Sequence, residues 1–214
     1  MKETKSQRKS RTKEIIKLLA SRYPDPKTAL NFHNTFELLV ATVLSAQTTD
    51  KRVNIVTPTF FPQYDSAAKL LSIGEERFSH MIRTIGLYHS KAKNVMRLCQ
   101  QLVDLHHGEV PNDREALESL AGVGRKTANV VLSNAFSVPA FAVDTHVFRV
   151  TRRLGLSQGK TPLVVEQDLT ALLPEDQWSY AHHYFIFLGR EICKAPTPLC
   201  AQCPLAKLCP SSTV

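Results

Sequence analysis

The chain has 214 residues, of which 43% are hydrophobic, and carries a formal net charge of +8; that length and apolar content suffice for one large domain or two small ones around a sizeable core. No apolar run is long enough to cross a bilayer, and the polar opening M-K-E-T-K-S-Q-R-K-S is followed by no apolar stretch of the signal-peptide kind, so a soluble, cytoplasmic protein is expected rather than a membrane or secreted one. The charge is uneven: residues 1 to 27 hold nine Lys or Arg against three acids, which reads as a basic arm for nucleic acid or as a solvated tail.

In chain order, Lys2, Lys5, Arg8, Lys9 and Arg11 form that arm ahead of a first amphipathic helix carrying Ile15, Ile16, Leu18, Leu19 and Tyr23, which Pro24 and Pro26 end. Asn34 and Glu37 give a capping-box-like start to an apolar helix over Phe36 to Ala46, leaving Gln47 at a loop tip before Thr48 and Thr49. Further helices are expected over Asp50 to Phe60, Ser66 to Leu71 and Glu75 to Ile82, followed by a loop Ile85-Gly86-Leu87-Tyr88. From spacing alone Leu87 reads as core, because leucine is among the residues most often buried. The next helix covers Ser90 to His107 and closes at Gly108; Val95, Leu98, Cys99, Leu102 and Leu105 recur on one face, which makes Cys99 a packing residue.

Asn112 and Asp113 start a short helix, after which Leu120 to Ala128 reads L-A-G-V-G-R-K-T-A and a further helix follows over Thr127 to Ser133. Two glycines one residue apart suit a tight hairpin between helices, with φ > 0 expected at Gly122 and Gly124. Their N–H groups and the following helix start make a concavity for phosphate; an ordinary helix corner is the plain alternative. A nucleotide P-loop is excluded, since it needs four residues between its glycines and a glycine directly before the lysine. Lys126, in the first turn, either pairs with a phosphate or acts as an amine nucleophile. Asp144, in A-V-D-T-H, has the look of an N-cap for a helix over Thr145 to Leu154 and can also serve as a carboxylate partner for that amine. Thr161-Pro162 starts another helix, and Trp178 to Leu188 forms the last.

The cysteines Cys193, Cys200, Cys203 and Cys209 follow in a C-x6-C-x2-C-x5-C pattern. Structural zinc more often takes two close pairs, and disulfides suit secreted chains, so an iron-sulfur cluster is favoured over both. No stretch alternates like a strand and no internal repeat occurs, which gives an all-α fold.

The hairpin L-A-G-V-G-R-K-T-A together with A-V-D-T-H-V-F-R-V resembles the helix-hairpin-helix DNA glycosylases, and more closely the endonuclease III family, over about Glu14 to Cys209. The resemblance implies a bifunctional glycosylase and abasic-site lyase of base excision repair that acts as a monomer on duplex DNA containing oxidised pyrimidines or abasic sites. Lys126 would be the Schiff-base nucleophile, Asp144 the catalytic carboxylate, and Cys193, Cys200, Cys203 and Cys209 the holders of one 4Fe-4S cluster in the loop 193–209. Gly122, Gly124 and Arg125 would meet DNA, Gln47 would fill the hole left by an extruded nucleotide, and Leu87 would be a wedge between base pairs. It also implies a six-helix domain over 28–138 and a discontinuous second domain of 1–27 with 139–214, with DNA across the cleft between them. Two departures stand out: Ala121 occupies a position where the family commonly has proline, and the stretch Lys194 to Leu199 has a single basic residue. An adenine mismatch glycosylase, a non-catalytic DNA-binding module and an electron-transfer protein are the competing readings, and none of them calls for hairpin, Lys126, Asp144 and cysteines in a chain of this length.

Overall fold

The computed structural model describes residues 3–214, and among these there are eleven α-helices and no strand, as the all-α expectation required. The chain divides into two compact units, one of Ala29–Val138 and one of Met1–Thr28 with Pro139–Val214.

The second of these begins with α1 (Lys5–Arg22), and here the structure corrects the expected arm. Lys5, Arg8, Lys9 and Arg11 do not precede the first helix; they belong to it, while Lys2 lies outside the described residues. The reason is a capping box: Gln7 N donates to Thr4 Oγ1 at 3.2 Å and Thr4 N donates to Gln7 Oε1 at 2.9 Å, satisfying two of the N–H groups that a helix start leaves without partners. Arg11 is not a solvated charge either. Its Nη1 donates to Leu154 O at 2.7 Å and to Leu208 O at 3.1 Å, and Glu3 pairs with its Nε at 2.7 Å. The same unit contains α9 (Thr145–Arg153), α10 (Pro162–Leu172) and α11 (Trp178–Glu191), around a core that includes Ile15, Leu19, Phe141, Val147, Leu169 and Phe185. Helices α9 and α11 lie close because Gly189 has no side chain: a Cβ there would stand 2.9 Å from His146 Cβ and 3.1 Å from Val150 Cγ2.

The unit Ala29–Val138 is organised around α2 (Thr35–Leu44), in which every residue from Phe36 to Leu44 is buried. A helix apolar on nearly all sides has to run through an interior, and α6 (Tyr88–His106) and α8 (Arg125–Ala135) pack on it. Short helices α3 (Asp50–Val56), α4 (Ala67–Leu71), α5 (Gly74–Met81) and α7 (Arg114–Ser119) complete the unit, with α4 and α5 against α6 and α7 against α8. Cys99 is fully buried in α6, where burial pushes its thiol up to about 12, in keeping with a packing role. Leu105, expected on the same face, is 64% exposed. Each i+3 step falls short of a full helical turn, so a run of such steps walks off the buried arc by the last turn of α6.

No helix among the described residues is long and apolar enough to cross a membrane. The internal bonds of Arg11 lead to a stability prediction: Arg11→Met should destabilise the fold by about 1.5 to 3 kcal/mol, the scale of hydrogen bonds to a charged group, while Lys9→Ala, on the exposed face of the same helix, should stay within about 0.5 kcal/mol. Urea unfolding of the two variants checks the contrast; equal midpoints would show that the contacts of Arg11 contribute nothing.

Candidate functional site

The hairpin lies in the unit Ala29–Val138 and is held from three sides. Asp113 caps α7 through Ala116 N at 2.9 Å, the apolar side chains of Leu120 and Val123 are buried, and Val123 N donates to Leu120 O at 3.1 Å to close the turn. Gln101, on α6, grips the strand of backbone entering the hairpin: its Nε2 donates to Ser119 O at 3.1 Å and its Oε1 accepts from Ala121 N at 2.8 Å. A proline at 121 has no N–H to give to that bond. Alanine there exchanges the stiffness of a ring for a side-chain clamp. Gln101 carries no sequence motif, and nothing in the chain's pattern marked it.

The two glycines differ. Gly122 has φ +79, and a Cβ on it would stand 3.1 Å from Asn94 Cβ and 3.4 Å from Val43 Cγ1, so glycine is required there by the fold. Gly124 has φ −103 and ψ 176 and opens α8 without a side-chain cap; the expectation of a left-handed conformation at both positions is corrected. A single left-handed residue suffices to reverse the chain, and an extended residue is what a helix N-cap needs. A Cβ at Gly124 would meet nothing within 4 Å. Helix α8 starts at Arg125, two residues earlier than expected, which makes Lys126 its second residue. Gly124, Arg125 and Lys126 are all exposed, and Arg125 stands 3.8 Å from Glu118.

In the same unit, Gln47 and Leu87 occupy two loop tips with left-handed backbones, φ 54 and φ 59. Neither is glycine or asparagine, and such conformations persist only where the surroundings hold them, at a cost of about 1 to 3 kcal/mol each. Both side chains point into solvent: Gln47 is exposed and Leu87 is 61% exposed, which excludes the core role that spacing alone suggested for Leu87.

Asp144 lies in the other unit. It is the N-cap of α9, accepting from Val147 N through Oδ1 at 2.8 Å, and is half-buried. The opposite half of α9 holds the cysteine loop. Arg149 donates to Gly189 O at 2.9 Å and Cys193 O at 3.0 Å, and Arg153 donates to Lys194 O and Ala195 O, both at 2.7 Å. The carbonyls at the end of α11 and the first residues of the loop thereby gain charged donors. These arginines were not singled out from the sequence, where Arg153 resembles the basic side chains usual in a last helical turn and Arg149 carries no motif.

Cys193, Cys200, Cys203 and Cys209 form no disulfide and line one cavity with Val150, Leu154, Leu188 and Ile192. Burial pushes the thiols of Cys203 and Cys209 up, and the neighbouring cysteines add to the effect. A hydrogen bond with Thr213 lowers that of Cys200, and Arg153 Nη1 stands 3.5 Å from Cys193 Sγ. Among the described residues no three His, Cys, Asp or Glu side chains converge as ligands of a single metal ion.

Fold and hairpin define the class to which the chain belongs. Residues 40–175 match the family model of the HhH-GPD superfamily base excision DNA repair proteins, and the chain is a member of that superfamily. Endonuclease III of Rickettsia conorii (strain ATCC VR-613 / Malish 7) is 48% identical over 196 residues, 92% of this chain and 93% of that one. A trapped endonuclease III–DNA covalent intermediate, an estranged-adenine complex, superposes with a TM-score of 0.91 at 47% identity, covering 95% of this chain and 96% of that one. A non-covalent endonuclease III–DNA complex gives the same TM-score and identity, with 95% of each chain covered.

The contrast between the two glycines is testable by thermal or urea unfolding. Gly122→Ala should destabilise the protein by about 1 to 3 kcal/mol through a strained backbone and a crowded Cβ, whereas Gly124→Ala should change stability by less than about 1 kcal/mol. Equal losses would mean that Gly124 is held by a contact inside the fold.

Proposed function

We propose that the chain excises oxidised pyrimidines from duplex DNA and then cuts the strand 3′ to the abasic site, working as a monomer on bacterial DNA in the cytoplasm. As a member of the endonuclease III-like branch of its superfamily, it is a bifunctional enzyme of base excision repair, a DNA glycosylase that is also a lyase. The observation that carries the reading of its site is Lys126, an exposed amine on the first turn of the helix that follows the glycine hairpin, in a chain 47% identical to an endonuclease III trapped covalently on DNA.

The amine of Lys126 attacks C1′ of the extruded nucleotide. A C1′–N bond to the lysine forms as the glycosidic bond breaks, and the base leaves with a proton. The C1′–O4′ bond then breaks, O4′ taking up a proton, and leaves a protonated imine that acidifies the C2′ proton; its removal expels the 3′ phosphate by β-elimination. Asp144 accepts the proton whose loss makes the amine nucleophilic and stabilises the positive charge growing on the sugar. Its capping bond through Oδ1 fixes the carboxylate to a rigid helix, which suits a group that must not drift during the reaction.

Phosphate is received at the start of α8. The empty space at the Cβ of Gly124 supports this: nothing in the protein needs a glycine there, but a sugar-phosphate backbone approaching from outside does. Arg125 adds charge beside it. Gln47 fills the gap left by the extruded nucleotide and Leu87 wedges between neighbouring base pairs, roles that suit exposed side chains on stiffly held tips.

The four cysteines fit a 4Fe-4S cluster. Four thiolates around one largely apolar cavity would repel one another unless cations stood between them, and a cubane in which each iron takes one thiolate leaves its ligands further apart than the shell of a single zinc. Bound there, the cluster would cross-link the loop 193–209 and so steady the end of α9 opposite Asp144. Purified protein is expected to be brown with about four irons per chain; a colourless, active preparation with stoichiometric zinc would overturn the assignment.

The nucleophile is tested by borohydride trapping on DNA containing an abasic site. Lys126→Gln should retain affinity for that DNA, because backbone groups still meet the phosphate, and should lose both strand cleavage and the trapped adduct. Asp144→Asn should keep the amine and turn over slowly, with residual trapping. A wild-type yield of adduct from Lys126→Gln would assign the nucleophile to another amine.

A further inference from the structure

We propose that Lys91 is a positioning residue for base extrusion, fastening the Gln47 tip and the Leu87 tip to one another so that both enter the duplex as a single rigid element; this rests on the roles given above to Gln47 and Leu87. Lys91 lies in the first turn of α6 and is only 5% exposed. Its Nζ donates to Leu44 O at 2.9 Å and to Thr48 Oγ1 at 2.8 Å, while its backbone N donates to Leu87 O at 3.0 Å. One residue therefore bonds the last residue of α2, the residue after Gln47, and Leu87 itself.

Glycine at 86 completes the junction. A Cβ there would come within 3.8 Å of Thr48 Oγ1 and 3.9 Å of Gln47 O, so the hydroxyl that accepts from Lys91 also lies against the backbone that carries Leu87. An ammonium in an interior costs solvation, and burial draws the Lys91 amine below its usual range; an apolar side chain would fill the same space at less cost. What the ammonium adds is direction. It meets the carbonyl end of α2, where a positive charge is favoured, and it orients Thr48 at the exit of a tip whose left-handed backbone has no glycine to ease it. Two exposed side chains that must displace stacked bases gain from being stiff, since a loop that yields cannot hold bases apart.

Single-turnover rates measured on a paired oxidised pyrimidine and on a preformed abasic site test the assignment. Lys91→Met keeps an unbranched side chain as far as Cε and removes the ammonium with its charge and its bonds. Base excision should fall about tenfold or more while cleavage at the abasic site moves less than about threefold, and adding Lys91→Met to Gln47→Ala should cost less than about threefold beyond Gln47→Ala alone, because coupled residues are non-additive. Thr48→Val, which removes only the accepting hydroxyl, should show the same selectivity and serves if Lys91→Met does not fold. Equal losses on the two substrates would reduce Lys91 to a packing residue. Fully multiplicative effects with Gln47→Ala would show that it does not act through that tip. If Gln47→Ala alone lacks the selectivity, the role of Gln47 falls first and this inference with it; if Gln47→Ala has it and Lys91→Met does not, this inference alone falls.

Discussion

A helix begins with N–H groups and ends with carbonyls that have no partner within it, and several groups with a proposed role in this chain sit where that deficit falls. Asp144 meets it at the start of α9, with a carboxylate that the proposed chemistry also uses. At the start of α8 no side chain caps the helix, which suits that end to an anion from outside. The carbonyl ends of α2 and α11 are met by Lys91 and by Arg149. Capping and function are thus not competing explanations of the same residues. A polar group fixed at a helix end is tied to the geometry of the backbone, and that rigidity is what a reacting or inserting group requires.

The same logic redistributes the charge. A net charge of +8 invites a picture of loosely held cations waiting for phosphate, yet several of the arginines are committed inside the fold. Arg11 ties α1 to the carbonyls of Leu154 and Leu208, and Arg149 and Arg153 fasten the cysteine loop. Guanidinium groups suit this work, because their planar donors satisfy several carbonyls at once. The cations left to face solvent are consequently fewer than composition implies, and the proposed contact relies on the geometry of one hairpin more than on the field of a basic arm.

The cysteine loop follows a similar pattern of mutual support. Arg153 reaches the loop backbone and comes near Cys193 Sγ, and Cys209 Sγ stands 3.4 Å from Arg153 O. Helix α9 therefore carries Asp144 at one end and the anchors of the loop at the other. With nine residues in all, this helix joins the carboxylate and the anchors of the loop in one short element.

What the sequence by itself determined was the local chemistry: the helices and most of their ends, the all-α class, the hairpin, the cap at Asp144 and the spacing of four cysteines. These are legible because capping, periodicity and glycine punctuation act within a few residues along the chain. Even the first helix had its signal, since Thr4 and Gln7 form the box that starts it; the density of positive charge over those residues concealed it. The tertiary structure alone decided which of two glycines is left-handed, that Leu87 is exposed and Leu105 with it, that Arg11 is internal, and that Gln101 and Lys91 clamp loops from another helix. Each of these depends on atoms brought together from distant parts of the chain. Whether a Cβ finds room, or an ammonium finds a carbonyl, is settled by packing between elements, and no local pattern encodes it.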